Sequence, residues 1–187
     1  MADKRNTLRF FYPTEWYQFI AAATNRELIF WLKLLLHTGL RIAEARALKI
    51  TNINLERKYL TVLKGKGNKQ RQVFFSTPFK IELKDYIKTK KLQPEDTFGI
   101  PTTQYMDRVI KKVATKSGLT NPNEFSCHTF RKTHENYLCV KGVNTMAVTM
   151  QMGHTVNVAT AYYVQNFLKQ EEKQLIKSIL GDLFDGL

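Results

Sequence analysis

The spacing of apolar residues changes from a helical to a strand-like period along the chain, and this change predicts the fold class. Residues 25–39, NRELIFWLKLLLHTG, begin with an N-cap Asn, are rich in apolar residues and end in Gly, which together predict a core helix. Residues 58–76, KYLTVLKGKGNKQRQVFFS, alternate with period two around a Gly-rich turn, which predicts a β-hairpin. We therefore predict a mainly α domain with a small antiparallel β-sheet (α+β).

Helical periodicity recurs along the rest of the chain. A first helix is predicted over 13–25, where Trp16 and Phe19 lie at helical spacing, and a short one over 42–48. We interpret Trp16 and Trp31 as core residues rather than as platforms for base stacking. The sequence after Thr77 is mainly helical, with predicted helices at Pro78–Lys91, Thr102–Ser117, His128–Lys141, Thr145–Met152, Val158–Phe167 and Lys169–Leu183.

The length of 187 residues suits one domain with a sizeable core. No internal repeat, low-complexity segment or long linker divides the sequence, so we predict a single domain over 1–187. The longest apolar stretch is broken by Lys33 and is too short to span a bilayer, and the first residues lack the apolar core of a secretory signal. These features predict a cytoplasmic location without a membrane partner. Cys127 and Cys139 have no CxxC spacing and are interpreted as reduced.

The charge of the sequence indicates the class of partner. Lys and Arg number 29 against 16 Asp and Glu, which gives a formal net charge of +13. A surplus of this size is typical of proteins that bind nucleic acids, although anionic membranes and acidic proteins would be attracted by the same field. The cations are concentrated between Arg57 and Lys91, a density that suits contact with a phosphate backbone.

Basic residues and a tyrosine occupy short motifs spread along the chain. His128 and Arg131 lie in HTFR, in the first turns of a predicted helix, and Arg41 follows the helix end at Gly39. Lys66 lies between two glycines at the hairpin tip, where the absence of side chains lets another backbone approach closely. The candidate catalytic set, in chain order, is Arg41, Lys66, His128, Arg131, His154 and Tyr163.

These motifs resemble those of the tyrosine recombinase family, also called the phage integrase family. TGLRIAEA is similar to the family's first arginine motif, GKGNKQR to its hairpin lysine motif, HTFR to its HxxR motif, MGH to its LGH motif, and TAYY to the segment that carries its tyrosine. Each motif alone is weak evidence, but the five motifs occur together in the family's order, which makes the resemblance strong. The sequence departs mildly from the family: Phe130 and Met152 replace leucine, and Lys132 stands where a histidine often follows the arginine.

The residue types suit attack of an oxygen nucleophile on a phosphodiester. Negative charge spreads over the nonbridging oxygens in the transition state, and the guanidinium groups of Arg41 and Arg131 present paired N–H donors to phosphate. His128 and His154 suit the supply of further donors, and His128 also suits proton removal from a tyrosine.

The resemblance implies the remaining roles. Lys66 would be the general acid for the leaving 5′ oxygen, and Tyr163 would be the nucleophile that forms a covalent 3′-phosphotyrosyl bond. Because this bond conserves the energy of the phosphodiester, we expect no ATP. The sequence has no carboxylate cluster with metal-ligand spacing, so we expect no metal and no other cofactor. Tyr162 competes with Tyr163, but the spacing from His154 and the T-x-x-Y pattern formed with Thr160 favour Tyr163.

Other polar residues adjoin the motifs. Glu44 occupies the family's usual acidic position, where it either supports Arg131 or the histidines or is an exposed helix charge. His37 and His134 fall outside the motifs and are interpreted as structural. The Cys and His residues of 127–139 do not have the usual zinc-finger spacing. Cations of the hairpin are predicted to contact DNA phosphates, with a solvated hairpin as the alternative: Lys64, Lys69 and Arg71.

The resemblance implies a site-specific DNA recombinase or integrase that acts on double-stranded DNA in the nucleoid. It would work as a homo-tetramer on paired sites, with a monomer as the alternative in the absence of DNA. Family members usually carry an N-terminal helical core-binding domain; few residues precede the first predicted helix here, so we expect a catalytic fragment or a naturally short form. The alternatives are a type IB topoisomerase, which releases and reseals one strand, and a noncatalytic DNA-binding relative.

Overall fold

The protein is mostly helical and carries one small sheet. The computed structural model describes residues 9–63, 70–153, 174, 176–179 and 181. The helices are α1 Pro13–Ala22, α2 Arg26–Thr38, α3 Ile42–Ala47, α4 Thr77–Lys90, α5 Thr103–Lys116, α6 Cys127–Val140 and α7 Thr145–Met152, with single 3-10 turns at Ile50–Asn52 and Pro122–Glu124. The predicted fold class is therefore confirmed. Within the described ranges, no helix is long and apolar enough to cross a membrane.

The predicted hairpin strands are present as β2 Tyr59–Val62 and β3 Arg71–Phe74. They pair antiparallel, with Val62 opposite Arg71 at the end nearest residues 64–69, which lie outside the described residues. A further strand, β1 Ile53–Asn54, pairs antiparallel with β2 and gives the order β1-β2-β3. The sequence did not predict β1, because two residues are too few to show a period.

Helix α2 lies at the centre of the core, as its composition predicts. Leu32, Leu34 and Leu36 have no exposed surface. The Asn25 side chain accepts a hydrogen bond of 2.9 Å from the Leu28 N–H, and Gly39 ends the helix with a φ of 62°. Both predicted ends of this helix are confirmed, and the second fixes where Arg41 begins the next helix.

Aromatic side chains join α1 to α6. The ring of Phe11 lies 5.2 Å from that of Phe130 and 5.8 Å from that of Trp16, between ring centroids. The Phe11 N–H donates to Thr133 Oγ1 at 2.9 Å, which ties the segment before α1 to α6. Trp16 is 2% exposed and Trp31 donates from Nε1 to the Phe98 carbonyl, so both are packed as the sequence predicts.

The predicted helix limits needed small corrections. The first helix ends at Ala22 rather than at residue 25, because Asn25 is already the N-cap of α2. Helix α6 begins at Cys127 rather than at His128, so that His128 lies in its first turn. The predicted helix Val158–Phe167 lies outside the described residues. The one over Lys169–Leu183 is described only at 174, 176–179 and 181, which are helical.

Candidate active site

The candidate site begins at the junction between α2 and α3. Gly39 adopts a positive φ, and a Cβ at this position would lie 2.7 Å from the Cδ2 atom of His134, so both the backbone and the close packing require glycine. Arg41 is the N-cap of α3, and its N–H donates to Glu44 Oε2 at 2.9 Å. The turn therefore fixes the backbone from which the Arg41 side chain extends.

Arg131 joins the ends of two helices from the second turn of α6. Its Nη1 donates to the Gly39 carbonyl at 2.6 Å, and its Nη2 donates to the Met152 carbonyl at the end of α7. The residue is 3% exposed. Burial and the nearby charge of Arg41 lower the pKa of Arg131 to about 10, so the group remains a cation at neutral pH.

Arg41 reaches the same turn from the other side. Its Nη1 donates to Glu44 Oε1 at 3.0 Å, and its Nη2 lies 3.4 Å from the Gly153 carbonyl oxygen. About a third of its side chain, 34%, is exposed. The two arginines predicted to bind phosphate thus converge on Met152 and Gly153, the residues that precede His154 in the sequence.

Glu44 is buried beside Arg41 and is not an exposed helix charge. Its side chain is 6% exposed, and it accepts hydrogen bonds of 2.9 and 2.7 Å from the two terminal nitrogens of Arg71 in addition to those from Arg41. The predicted support of Arg131 or the histidines stays a prediction: the negative charge of Glu44 opposes the lowering of the Arg131 pKa, and His154 lies outside the described residues. Burial alone would raise the pKa of Glu44, but the hydrogen bonds and charge of Arg71, with the bonds from Arg41, hold it below its usual range.

Arg71 was predicted to contact a DNA phosphate, and that contact stays a prediction. Its side chain is 10% exposed. Besides the bonds to Glu44, its Nε lies 3.3 Å from the Gln151 carbonyl oxygen. The guanidinium is therefore directed into the protein, toward α3 and the end of α7.

His128 lies on the exposed face of the first turn of α6. Partial burial of its ring, together with the positive charges of Lys132 and Arg131, lowers its pKa below the usual value. The imidazole is therefore neutral at physiological pH and suits the acceptance of a proton. Lys132, at the position where relatives often have histidine, lies 3.4 Å from the Glu135 carboxylate.

The two histidines outside the motifs, His37 and His134, are fully buried, which agrees with the structural role predicted for them. His134 Nδ1 is 2.8 Å from the Leu36 carbonyl oxygen, which can only accept, so this nitrogen carries the proton. Burial lowers the pKa of His134 to about 4, although the bond to Leu36 opposes the shift. His37 is buried and stacks on Phe79 with ring centroids 4.6 Å apart.

Gln151 is a supporting residue that the sequence analysis missed. Its Oε1 accepts from the Phe74 N–H at 3.0 Å, and its Nε2 donates to the Phe74 carbonyl at 2.9 Å. The buried amide thus extends the hydrogen bonding of β3 to α7. The pattern TMAVTMQM around it marks a helix but gives no signal of this pairing.

The structure therefore brings together Arg41, His128 and Arg131 of the predicted catalytic set. The remaining predicted site residues lie outside the described residues: Lys64, Lys66, Lys69, His154 and Tyr163. Among residues that the structure does describe, no group of three or more His, Cys, Asp or Glu side chains is arranged to hold a metal ion.

Curated relatives with similar sequences are tyrosine recombinases. The chain is 29% identical to the tyrosine recombinase XerA of Pyrococcus horikoshii over 163 residues, which cover 80% of this chain and 56% of the relative. It is 28% identical to the tyrosine recombinase XerC of Corynebacterium glutamicum over 152 residues, which cover 76% of this chain and 49% of the relative. The chain thus spans about half the length of these relatives.

Solved structures share the fold. The crystal structure of XerA recombinase matches 90% of this chain and 64% of its own with a TM-score of 0.68 at 20% identity. The XerH site-specific recombinase matches 82% of this chain and 50% of its own with a TM-score of 0.64 at 24% identity. The family model described as "Phage integrase family" matches residues 9–170, which include every residue of the candidate catalytic set. The chain belongs to the phage integrase family.

Proposed function

We propose that this chain is the catalytic domain of a site-specific recombinase that cleaves and rejoins double-stranded DNA through a 3′-phosphotyrosyl intermediate. The observation that carries the proposal is the convergence of Arg41 and Arg131 on the turn at Met152 and Gly153. This turn directly precedes His154, and His128 lies on the same helix as Arg131.

The arginines supply fixed positive charge for a phosphate. A guanidinium has five N–H donors, so the main-chain bonds that hold Arg131 do not use up its capacity. Arg41 is partly exposed and is oriented by Glu44, which leaves it accessible to a ligand. Donors that are already in place stabilise the charge that develops in the transition state without a cost of reorganisation.

The proposed chemical steps are those that the resemblance to the family implies for these residues. Tyr163 Oη attacks the scissile phosphorus and gives its proton to the neutral imidazole of His128, while the bond from phosphorus to the 5′ oxygen breaks. Lys66 donates a proton to that 5′ oxygen, and His154 donates to a nonbridging oxygen. Attack of a 5′ hydroxyl on the phosphotyrosyl bond reverses these steps and rejoins the strands.

Double-stranded DNA is the proposed substrate. The net charge of +13 favours a polyanion. The XerH recombinase is bound to difH substrate, and the Tn1549 transposon integrase is in complex with transposon right end DNA. By analogy with the family, we propose that strand exchange takes place in a homo-tetramer on paired sites, within the nucleoid.

The test uses a suicide DNA substrate that traps the covalent complex. Tyr163→Phe is expected to abolish the trapped complex, because it removes the nucleophilic oxygen, whereas Tyr162→Phe is expected to retain it. Mass spectrometry of the DNA-linked peptide identifies the attached residue. Attachment at Tyr162, or no covalent complex with the wild-type chain, would refute the proposal in its present form.

A second arm of the test adds excess chelator. We expect cleavage to continue at an unchanged rate, because the cations of Arg41 and Arg131 take the place that magnesium has in other phosphoryl transfers. A strict requirement for a divalent ion in the cleavage step would contradict this assignment.

A further inference from the structure

Arg71 occupies an unusual position for a hairpin cation. It begins β3, one residue beyond the segment 64–69, which carries Lys66. Its side chain is 10% exposed and makes two parallel hydrogen bonds, of 2.9 and 2.7 Å, to the Glu44 carboxylate. The Glu44 carboxylate compensates the charge of Arg71, and burial keeps the guanidinium away from solvent. Neither feature would help a cation that serves only to attract DNA.

The same guanidinium also contacts the end of α7. Its Nε lies 3.3 Å from the Gln151 carbonyl oxygen. The backbone of Gly153 packs against it so closely that a Cβ there would be 2.7 Å from the Arg71 Cζ atom. The φ of 63° at Gly153 and the absence of a side chain thus allow the end of α7 to rest on Arg71.

Arg71 therefore lies in one segment with a candidate catalytic residue and contacts two others. Through Glu44 it is linked to Arg41, whose Nη1 bonds the same carboxylate at 3.0 Å. Along the chain it follows Lys66, and through Gln151 and Gly153 it contacts the two ends of the short stretch before His154.

We propose that Arg71 is a positioning residue for strand cleavage, which holds α3, the hairpin and the end of α7 in register through Glu44, Gln151 and Gly153. The inference rests on the proposed function and deepens it. Its role does not require contact with DNA, which separates it from the phosphate contact predicted from the sequence.

The geometry explains why lysine would not replace it. A planar guanidinium bonds both carboxylate oxygens at once and still directs Nε elsewhere, whereas an ammonium group is a point charge with no such fork. Removal of Arg71 would also leave the buried Glu44 carboxylate without its strongest partner. A shift of about 1 Å in a catalytic group is enough to slow a reaction about a hundredfold.

The experiment measures single-turnover cleavage of the suicide substrate at saturating protein, together with DNA affinity at several salt concentrations. The variants are Arg71→Gln, Arg71→Lys and Glu44→Gln. Arg57→Gln is the matched control, because Arg57 is an exposed arginine of the same sheet region and its loss removes the same charge. The rate constant and the fraction of DNA cleaved are recorded separately.

We expect Arg71→Gln to lower the cleavage rate constant about ten- to a hundredfold, with DNA affinity and its salt dependence equal to those of Arg57→Gln. Arg71→Lys should fall between Arg71→Gln and the wild type. Glu44→Gln should be slow as well. The double variant should be slowed by clearly less than the product of the two single effects, because both substitutions break one pair. The double variant also removes the unpaired buried carboxylate, so it serves if Arg71→Gln does not fold.

Other results would overturn the inference. Weaker binding with a smaller salt slope and an unchanged rate constant would make Arg71 a phosphate contact. A smaller cleaved fraction with an unchanged rate constant would mean that Arg71 only stabilises the fold. If the wild-type chain does not cleave, the proposed function fails and this inference fails with it, whereas normal cleavage by Arg71→Gln overturns this inference alone.

Discussion

The two sides of the candidate site hold their arginines by different means. On the main-chain-bonded side, Arg131 and His134 of α6 are buried and donate to backbone carbonyls at the ends of α2 and α7. On the ion-paired side, the side chains of Arg41 and Arg71 both donate to the Glu44 carboxylate, besides their longer contacts with the Gly153 and Gln151 carbonyls. Changes on the first side should therefore disturb the packing of helix ends, whereas changes on the second should alter mainly the orientation of charge.

The largest expected effect on cleavage comes from replacing one arginine on each side with alanine. Arg131→Ala should lower the cleavage rate on the order of a thousandfold by loss of a phosphate donor. It should also cost about 3 kcal/mol of stability, because the Gly39 and Met152 carbonyls lose buried partners. Arg41→Ala should slow cleavage similarly but cost about 1 kcal/mol or less, since its side chain is partly exposed. Urea denaturation measures the stability and single-turnover cleavage measures the rate. Equal losses of stability in Arg131→Ala and Arg41→Ala would contradict the distinction between the two sides.

A glycine substitution tests the contact between the two sides. Gly153→Ala should destabilise the protein by about 1–3 kcal/mol more than Gly142→Ala, because the new methyl group collides with Arg71. Gly142 is the matched control: it too has a positive φ, 80°, but a Cβ there would meet nothing within 4 Å. Gly153→Ala should also slow cleavage. If the two variants unfold at the same urea concentration, the Arg71 contact has no energetic weight.

Local features of this site were readable in the sequence, and its long-range partners were not. Asn25 and Gly39 predict the ends of α2 because caps act within a turn, and the alternation of residues 58–76 predicts the hairpin. The resemblance placed Arg41 and Arg131 in one site, and both reach the same turn. Arg71 pairs with Glu44 and Phe74 with Gln151 from segments distant in sequence, and neither periodicity nor a motif specifies such pairings.

The main-chain-bonded side should respond to mild acid through His134. Its pKa in the folded state, about 4, is below the ordinary value of 6.5, so the unfolded chain binds the proton more tightly. Stability is therefore fully present above about pH 6.5 and is lost progressively as the pH falls toward 4. Between pH 7 and 5 the wild type should lose about 2 kcal/mol more than His134→Gln, as measured by urea denaturation. His37 shifts in the same direction and remains in both proteins, so only the difference is informative. An equal loss of stability in the wild type and in His134→Gln would refute the assignment of this acid response to His134.

The ion-paired side should respond only at lower pH, and the effect should be the smallest of the set. The pKa of Glu44 in the folded state lies below the ordinary value of 4.5, so its contribution to stability is present above that pH and is lost as the pH falls below it. Other carboxylates titrate in the same range, so the measurement is the slope of stability against pH in the wild type minus that in Glu44→Gln. Glu95→Gln is the matched control, because Glu95 pairs with Lys49 at the surface, where water and salt screen the interaction. We expect a flatter slope below pH 4.5 for Glu44→Gln than for either the wild type or Glu95→Gln. A loss of stability that begins near pH 6 in the wild type and is absent in Glu44→Gln would contradict this expectation. It would mean that Arg41 and Arg71 do not hold the Glu44 carboxylate in its ionised form. Both sides of the site would then lose stability over the same pH range.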